Sequence, residues 1–463
     1  MDANSNSKIQ KKTFIERWLS DLNVEQIAWD TEFYKLNPRK IIITNLLLGF
    51  FRMTLTGKNG YHIWAGYLRE LIGCTVSKVA LWKRMGKALR DCLQAILEET
   101  IKRKIHGQSL PGKNNQALFS PFGETYLQDS TIIPLPEELK PYYKGSVSMG
   151  KQKSSIRVQA IYGLSSGTFR EFTLSSFTDN DQGASGGIIK LLKPGDLMIR
   201  DLGYYVLNVF WNVALMGAFF LSRYRFGTNI YDAHTDKQIQ LGEALKGSVV
   251  DRNILLGAKE KLPCRLVAVK LPDHVAAERR RKAEKSRDKR VKHNKEYMEL
   301  LDWAIFITNI GTQVWGPKEI LQGYRIRWHI EIIFKGWKSH LNMVGLVPEA
   351  PKANRNGEKY LGRYKYRVDS AILMMLIFIT IFQVSIYTNL GFKIWQKYGK
   401  LVSILKLYSY IAHQKEKILH CIDLEDLEPD IAYYATYDKR RKRLNHLERL
   451  IQIFDYQHQY TLG

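Results

Sequence analysis

One segment near the middle of the C-terminal half has residue types and spacing that could act together on a charged substrate. If Pro317–Leu341 forms one helix, its residues advance by about 100° each, and offsets of 3, 7 and 14 fall within roughly 60° of one another. The side chains at these offsets are Tyr324, Arg327, Glu331 and Lys338. The stripe would present a phenol, a guanidinium, a carboxylate and an ammonium, and a guanidinium can grip a phosphate through two hydrogen bonds.

A surface helix can carry such a polar stripe for solubility alone, so the pattern has two interpretations. Apolar residues beside the stripe indicate that it borders a buried wall: Ile326, Ile330, Ile333 and Phe334. His329 lies beside the stripe but is offset from it, and we expect a packed or surface histidine without a chemical role. The other ten histidines form no metal-ligand spacing.

The elements upstream of this helix are predicted to form a sheet. Strand patterns occur at Thr125–Leu135, Ile156–Leu164, Thr168–Leu174, Leu197–Arg200 and Ala218–Ser222. The second and third of these are joined by a short Gly-containing turn, which is typical of a hairpin. Helices are predicted at Ala184–Leu192 and Tyr204–Leu215. Hairpin strands followed by alternating helix and strand imply a mixed sheet with helices packed on it.

Residues 224 to 312 have a different pattern. Strand candidates at Leu266–Leu271 and Ala304–Thr308 flank the run Glu278–Lys295, which holds ten Lys or Arg residues against three acids. Such a run is usually a solvated helix or loop, and that interpretation is compatible with direct contact to DNA.

Both ends of the chain are predicted to be helical. Near the N-terminus, Thr75–Arg84 reads as a capped, short basic helix. It could be the second helix of a helix-turn-helix or an ordinary bundle helix with a solvated basic face. The apolar segment Ala371–Tyr387 is shorter than the about 20 residues that a membrane span needs, which favours a buried core helix.

Bulk properties restrict the partner class. The 463 residues carry a formal net charge of +25 with a pI near 9.6. A surface this positive attracts polyanions, nucleic acid first and an anionic membrane second. The four cysteines form no C-x-x-C pair, which fits a reducing cytosol better than a zinc site or a disulfide framework. The polar start of the chain has no signal-peptide pattern.

The spacing Tyr324-x2-Arg327-x3-Glu331-x6-Lys338 resembles the signature of bacterial insertion-sequence transposases of the family numbered four. Asp129, at the end of a β-rich run, resembles the first catalytic aspartate of that family. Asp201, directly after a short apolar strand, resembles the second. The gaps of 72 and 130 positions agree, because the family places a β-rich insertion in the second gap. The resemblance covers roughly residues 120 to 345.

The resemblance implies an RNase H-like core and a catalytic, metal-binding triad of Asp129, Asp201 and Glu331. Two Mg²⁺ ions are the expected cofactors, with Mn²⁺ as a substitute, because hard cations prefer carboxylate oxygens. Tyr324, Arg327 and Lys338 would hold a phosphate near the cleaved DNA end. Without the resemblance, either aspartate alone could simply cap a turn or a helix.

Trp303 is a further candidate for DNA binding. It lies 28 residues before Glu331 in a strand-like segment. In relatives that cut through a DNA hairpin, a tryptophan at the corresponding place stacks on a flipped base, and stacking tolerates any base. The alternative is a core tryptophan on a half-buried strand.

The expected fold class is α/β: an RNase H-like mixed sheet flanked by helices, with a β-rich insertion, a helical N-terminal domain and a helical C-terminal tail. We predict a helical DNA-binding domain at 1–110, catalytic core at 111–223 and 313–390, the insertion at 224–312, and a helical region for DNA contact or dimerisation at 391–463.

The predicted function is DNA transposition by metal-dependent cleavage at insertion-sequence ends and strand transfer, through a hairpin. The alternatives are an RNase H-like nuclease without strand transfer and an inactive DNA-binding relative. Expected partners are double-stranded transposon ends and target DNA, with a homodimer in the synaptic complex and no membrane. The expected location is the bacterial cytoplasm, in association with the nucleoid.

Overall fold

A computed structural model describes residues 11–103, 118–148, 150–285, 295–348 and 357–438. The strands in these ranges form a central sheet. Their bounds are β1 Thr125–Leu135, β2 Lys144–Ser148, β3 Lys151–Gly163, β4 Thr168–Ser176, β5 Leu197–Arg200, β6 Phe219–Arg223, β7 Ile230–Asp232, β8 Val249–Leu256, β9 Leu262–Lys270 and β10 Trp303–Thr308.

Helices cover the sheet and make up both ends of the described chain. The α-helices are α1 Phe14–Asp21, α2 Val24–Asp30, α3 Ile43–Leu55, α4 Tyr61–Ile72, α5 Lys78–Arg84, α6 Lys87–Lys102, α7 Asp181–Ala184, α8 Leu207–Leu215, α9 Leu241–Ala244, α10 Asp273–Glu284, α11 Lys295–Leu300, α12 Pro317–Arg325, α13 Trp328–Ser339, α14 Gly357–Phe382, α15 Gly391–Tyr398, α16 Ile404–His413, α17 Lys415–Leu419 and α18 Glu428–Tyr434. Short 3₁₀ segments are Glu137–Leu139, Ser185–Leu191, Leu202–Tyr204 and Leu424–Leu427, and a π-helical segment, Gln383–Leu390, continues α14.

The central part of the sheet consists of five strands in the order β4-β3-β1-β5-β6. Strands β1, β5 and β6 are parallel to one another, whereas β3 is antiparallel to both β1 and β4. All four residues of β5 are buried, as expected for a strand covered on both faces. Helix α8 makes the crossover between β5 and β6. This order and these directions confirm the predicted RNase H-like mixed sheet.

The β-rich insertion extends the central sheet. Strand β10 pairs antiparallel with β6 on one edge and with β9 on the other, and β8 and β7 follow outward. Arg265 on β9 fixes this extension, because its guanidinium bonds both carboxylate oxygens of Asp251 and the carbonyls of Ile310 and Trp315. The predicted β-rich insertion is therefore confirmed and is continuous with the core sheet.

The basic run predicted between β9 and β10 is partly structural. Arg279 on α10 donates to the carbonyls of Leu301 and Trp303, and Arg280 pairs with Asp302. Two cations of the run thus tie α10 to the start of β10. The part of the run from 286 to 294 lies outside the described residues.

The N-terminal helices share one hydrophobic core with α14. Helix α14 packs along α6 and α3. The most apolar stretch of the helical segment Leu361–Tyr398 is entirely buried within the protein. This burial supports the predicted core helix. The short basic helix α5 is also present, and the guanidinium carbons of Arg363 and Arg367 lie 4.5 and 4.2 Å from the centre of its Trp82 ring.

The single helix predicted over Pro317–Leu341 is wrong. The chain forms α12 and α13, separated by a turn at Ile326 and Arg327. There the amides of Ile326, Arg327 and His329 each bond the carbonyl three residues earlier, as in a 3₁₀ turn. A polar and apolar pattern does not reveal one such turn, since both residues keep right-handed helical backbone angles. Similarly, the predicted helix from Tyr204 begins at Leu207, after a 3₁₀ turn.

Candidate active site

The first two acids of the predicted triad come from adjacent parallel strands. Gln128 on β1 and Arg200 on β5 are register partners, and Asp129 and Asp201 are the residues that follow them. Asp129 remains within β1, where the backbone amide of Ser130 donates a 2.8 Å hydrogen bond to its Oδ1. Asp201 lies just beyond the end of β5, and its side chain is about half exposed. Strand pairing alone therefore brings the two carboxylates to one region of the sheet.

Glu331 joins them from α13, which packs on β1. A single guanidinium connects the three acids. Nη1 of Arg327 lies 2.5 Å from Oε1 of Glu331 and 3.7 Å from Oδ2 of Asp129, and Nε lies 3.9 Å from Oδ1 of Asp201. The structure thus brings together four residues that the sequence analysis selected from three separate parts of the chain.

The electrostatics of the group centre on Asp129. Burial raises the pKa of Asp129 to about 7, and the nearby carboxylates of Glu331 and Asp201 act in the same direction. The Ser130 amide and the Arg327 guanidinium oppose this increase. A buried carboxylate with two acidic neighbours favours the uptake of positive charge, whether a proton or another cation.

Two aromatic rings flank the guanidinium of Arg327. The ring of Tyr324 lies 5.9 Å from its central carbon and the ring of Trp328 lies 5.0 Å away. Tyr324 is buried, packs on Phe306 and directs its hydroxyl toward the carbonyl of Arg200, at 3.5 Å. Burial raises the pKa of Tyr324 to about 12.

The remaining predicted phosphate and DNA contacts lie in different surroundings. Lys338 is exposed on α13, seven residues after Glu331, which is about 10 Å along a helix axis. Trp303 is the first residue of β10, only 8% exposed, and its carbonyl accepts a 2.8 Å hydrogen bond from Arg279. The phosphate-holding role of Lys338 and the stacking role of Trp303 remain predictions.

The acids suit a divalent metal ion in type, because hard cations take carboxylate oxygens. Their spacing does not match a ligand group. Within the described ranges, no three His, Cys, Asp or Glu side chains lie close enough together to hold one ion. Instead, the Arg327 guanidinium lies among the three carboxylates. The three acids therefore offer the oxygen atoms that a divalent ion prefers, and the guanidinium of Arg327 lies among them in this structure.

A polar network that the sequence analysis missed supports the opposite face of β1. Asp181 on α7 accepts hydrogen bonds from Ser130, Arg157 and Gln159. The hydroxyl of Tyr204 donates to Gln159, so the turn after Asp201 belongs to the same network. Asp181 thereby links β1, β3 and the segment that follows β5. Nothing in the local sequence around Asp181 indicates this role, since its partners are distant in the chain.

Trp328 is a second residue that the sequence analysis did not select. Its side chain is 52% exposed although it is large and apolar, and it lies beside Arg327 at the start of α13. Large exposed aromatic side chains next to a charged site suit stacking on a planar ligand. Its position directly after Arg327 is visible in the sequence, but its exposure is not.

Comparison with known proteins places this site in a recognised domain. Residues 120–344 match the family model described as a transposase DDE domain, and Asp129, Asp201 and Glu331 lie within the matched range. The transposase for insertion sequence element IS231E of Bacillus thuringiensis subsp. finitimus is 29% identical over 294 residues, covering 59% of this chain and 60% of that protein. The transposase for IS1151 of Clostridium perfringens is 28% identical over 284 residues, covering 57% and 59%.

The chain therefore spans about three fifths of the length of the curated relatives it matches. Among solved structures, a piggyBac transposase synaptic complex with hairpin DNA aligns with 91% of this chain and 83% of that chain, at 8% identity and a TM-score of 0.40. A likeness of that degree is too loose to bear on this site.

Proposed function

We propose that this chain is a DDE transposase that cuts DNA at the ends of an insertion sequence and joins those ends to target DNA. The observation that carries the proposal is the meeting of Asp129, Asp201 and Glu331 around Arg327, inside a segment that matches a transposase DDE domain. Membership of the insertion-sequence family numbered four is part of the proposal and rests on the Tyr324-Arg327-Glu331-Lys338 spacing.

The three carboxylates are proposed to hold two Mg²⁺ ions, or Mn²⁺ in their place. When bound, such ions activate the attacking oxygen and stabilise the leaving oxygen of a phosphodiester. The residues of the chain position the DNA. Arg327 suits bidentate contact with a phosphate, and Lys338, exposed on the same helix as Glu331, suits a second contact as a point charge.

DNA is the proposed substrate and partner because of the charge. The net charge of +25 attracts a polyanion, and exposed cations on α5 and α13 extend the positive surface on the helices around the core. Two DNA ends must be brought together for transposition, so we propose a homodimer in the synaptic complex. The proposed location is the bacterial cytoplasm, in association with the nucleoid.

The hairpin route is the finer part of the proposal. A strand that bends sharply into a hairpin leaves a base unstacked, and an aromatic ring beside the site can receive it. Trp303 was selected for this role from the resemblance, whereas Trp328 has the exposed ring beside Arg327.

The experiment is a stepwise reaction on a labelled duplex copied from the sequence that flanks the coding region. The full chain and Mg²⁺ are added, and nicks, hairpins, excised ends and joined products are separated on denaturing gels. Joined products would support the transposase. Cleavage without joining would support an RNase H-like nuclease, and binding without cleavage would support an inactive DNA-binding relative.

A further inference from the structure

The guanidinium of Arg327 occupies the space that the three acids share. It is 8% exposed, and it lies 2.5, 3.7 and 3.9 Å from oxygens of Glu331, Asp129 and Asp201. One positive group therefore lies within 4 Å of all three acids of the proposed metal site and donates a hydrogen bond to one of them, Glu331. The guanidinium offsets part of the repulsion between these like charges, which still acts to raise the pKa of Asp129.

Arg327 and a divalent cation need the same oxygens. A guanidinium stays protonated at every physiological pH, so it cannot release the acids by losing its charge. While it remains among them, its positive charge opposes the entry of a second cation. Only a movement of the side chain frees the carboxylates.

The position of Arg327 in the chain allows such a movement. It lies at the 3₁₀ turn between α12 and α13, where the regular hydrogen-bond ladder of the helix is interrupted. The ring of its neighbour Trp328 is 52% exposed and lies 5.0 Å from the guanidinium, so one side chain separates the buried guanidinium from solvent. A phosphate offers the same bidentate contact as a carboxylate.

We propose that Arg327 exchanges between the acidic triad and a DNA phosphate, and that this exchange makes metal binding dependent on DNA. The inference rests on the proposed function, because it takes DNA as the partner. Without DNA, the guanidinium of Arg327 stays among the three carboxylates and opposes the binding of divalent cations. When a phosphate draws the guanidinium away, the three carboxylates regain full negative charge and bind metal tightly. By linkage, metal must then strengthen DNA binding by the same factor.

The test measures Mn²⁺ binding to the full chain without DNA, from the electron paramagnetic resonance signal of free Mn²⁺. Arg327→Gln removes the competing charge and is expected to bind Mn²⁺ roughly 5- to 150-fold more tightly than the unaltered chain, the usual range of coupling between two ligands. Arg325→Gln is the matched control, since Arg325 is exposed in the preceding turn and its loss changes the net charge equally. It should leave Mn²⁺ affinity nearly unchanged.

Further variants test where the ion binds, and a melting measurement checks that each variant is folded. Arg327→Gln combined with Glu331→Gln should lose the gain in affinity, because the ion then lacks one of the three acids. Arg327→Lys keeps the charge but a single ammonium cannot reach all three acids as a planar fork does, so an intermediate affinity is expected. Melting curves for each variant verify that the chain is folded.

The last arm adds a duplex copied from the flanking sequence. It should raise the Mn²⁺ affinity of the unaltered chain and have little effect on that of Arg327→Gln. Equal Mn²⁺ affinities for the unaltered chain and both Arg327 variants, or an equal effect of DNA on all of them, would overturn the exchange. If the proposed function is wrong, the unaltered chain will neither bind nor cleave DNA. The Mn²⁺ measurements without DNA still decide, independently, whether Arg327 blocks the triad.

Discussion

Gly336 on α13 lies directly against the ring of Tyr408 on α16, so closely that a Cβ atom at this position would overlap the ring. The indole of Trp337 also donates a 3.3 Å hydrogen bond to the Tyr408 hydroxyl. Helix α13 carries Glu331 at its other end. The contact between Gly336 and Tyr408 therefore helps to set the position of the third acid relative to the sheet.

Gly336→Ala should destabilise the protein by about 1–3 kcal/mol, because the added methyl forces the two helices apart in a packed core. Gly66→Ala on α4 is the control, since a Cβ there meets open space and alanine favours a helix by about 0.5–1 kcal/mol. Urea unfolding of both variants checks this. A Gly336→Ala protein as stable as the Gly66→Ala protein would contradict the close approach.

Asp129→Ala, Asp201→Ala and Glu331→Ala should each abolish DNA cleavage while DNA binding persists, since binding depends on the overall positive charge. Nicking in Mg²⁺ and gel-shift binding are measured on the same preparations. Glu243→Ala serves as the control, because Glu243 is an exposed acid on α9. Near-normal cleavage by one triad variant would remove that residue from the site.

Stability should depend on pH through Asp129. Its folded pKa of about 7 lies above the ordinary aspartate value of 3.8. Ionisation therefore lowers the stability of the fold as the pH rises from about 4 to 7, and the loss is complete above that range. Asp129→Asn removes this penalty, on the order of a few kcal/mol, and should melt later than the unaltered chain at pH 8 but not at pH 4.

Asp232 supplies the control of opposite sign for this pH effect. Backbone hydrogen bonds from Thr235 and His234 lower the pKa of Asp232 to about 2. Asp232→Asn should therefore reduce stability at pH 8, and the loss should shrink as the pH falls toward 2. If Asp129→Asn and Asp232→Asn shift the melting temperature in the same direction at pH 8, the assignment for Asp129 is wrong.

DNA binding should weaken steeply with salt, because each neutralised phosphate contributes about 0.9 to the slope of log affinity against log salt concentration. The motivation is the net charge of +25. Fluorescence anisotropy of a labelled duplex over a salt series gives the slope. A flat profile would show that the positive charge has another purpose.

Alanine substitutions at Trp303 and Trp328 should have different effects on stability and on hairpin formation. Trp303→Ala removes a buried ring, so it should cost about 3–5 kcal/mol of stability and weaken every reaction step together. Trp328→Ala removes an exposed ring and should melt normally while hairpin formation falls roughly five- to hundred-fold, the value of one base stacked on an aromatic side chain. The stepwise gel assay and melting curves measure both.

The opposite pattern would reverse these two assignments. A folded Trp303→Ala protein that nicks normally but forms few hairpins would support the stacking role of Trp303. Normal hairpin formation by Trp328→Ala would exclude Trp328 from base stacking.

The sequence by itself determined much of the fold around the site. Alternating and apolar runs gave β1, the β3–β4 hairpin and β5 within a few residues, because strand periodicity and turn residues are local signals. The selection of Asp129, Asp201 and Glu331 rested on the resemblance of the four-residue spacing to a transposase signature, because neither the spacing nor the two aspartates alone distinguish a catalytic site from an ordinary surface.

Only the tertiary structure decided how these residues meet. The 3₁₀ turn at Arg327 and the burial of Tyr324 depend on packing against the sheet, which no local pattern encodes. In the network around Asp181, the hydrogen bond from Ser130 to Asp181 joins residues 51 positions apart. The exposure of Trp328 and the burial of Trp303 likewise depend on which elements cover each ring, since both residues have the same side chain and only their surroundings differ.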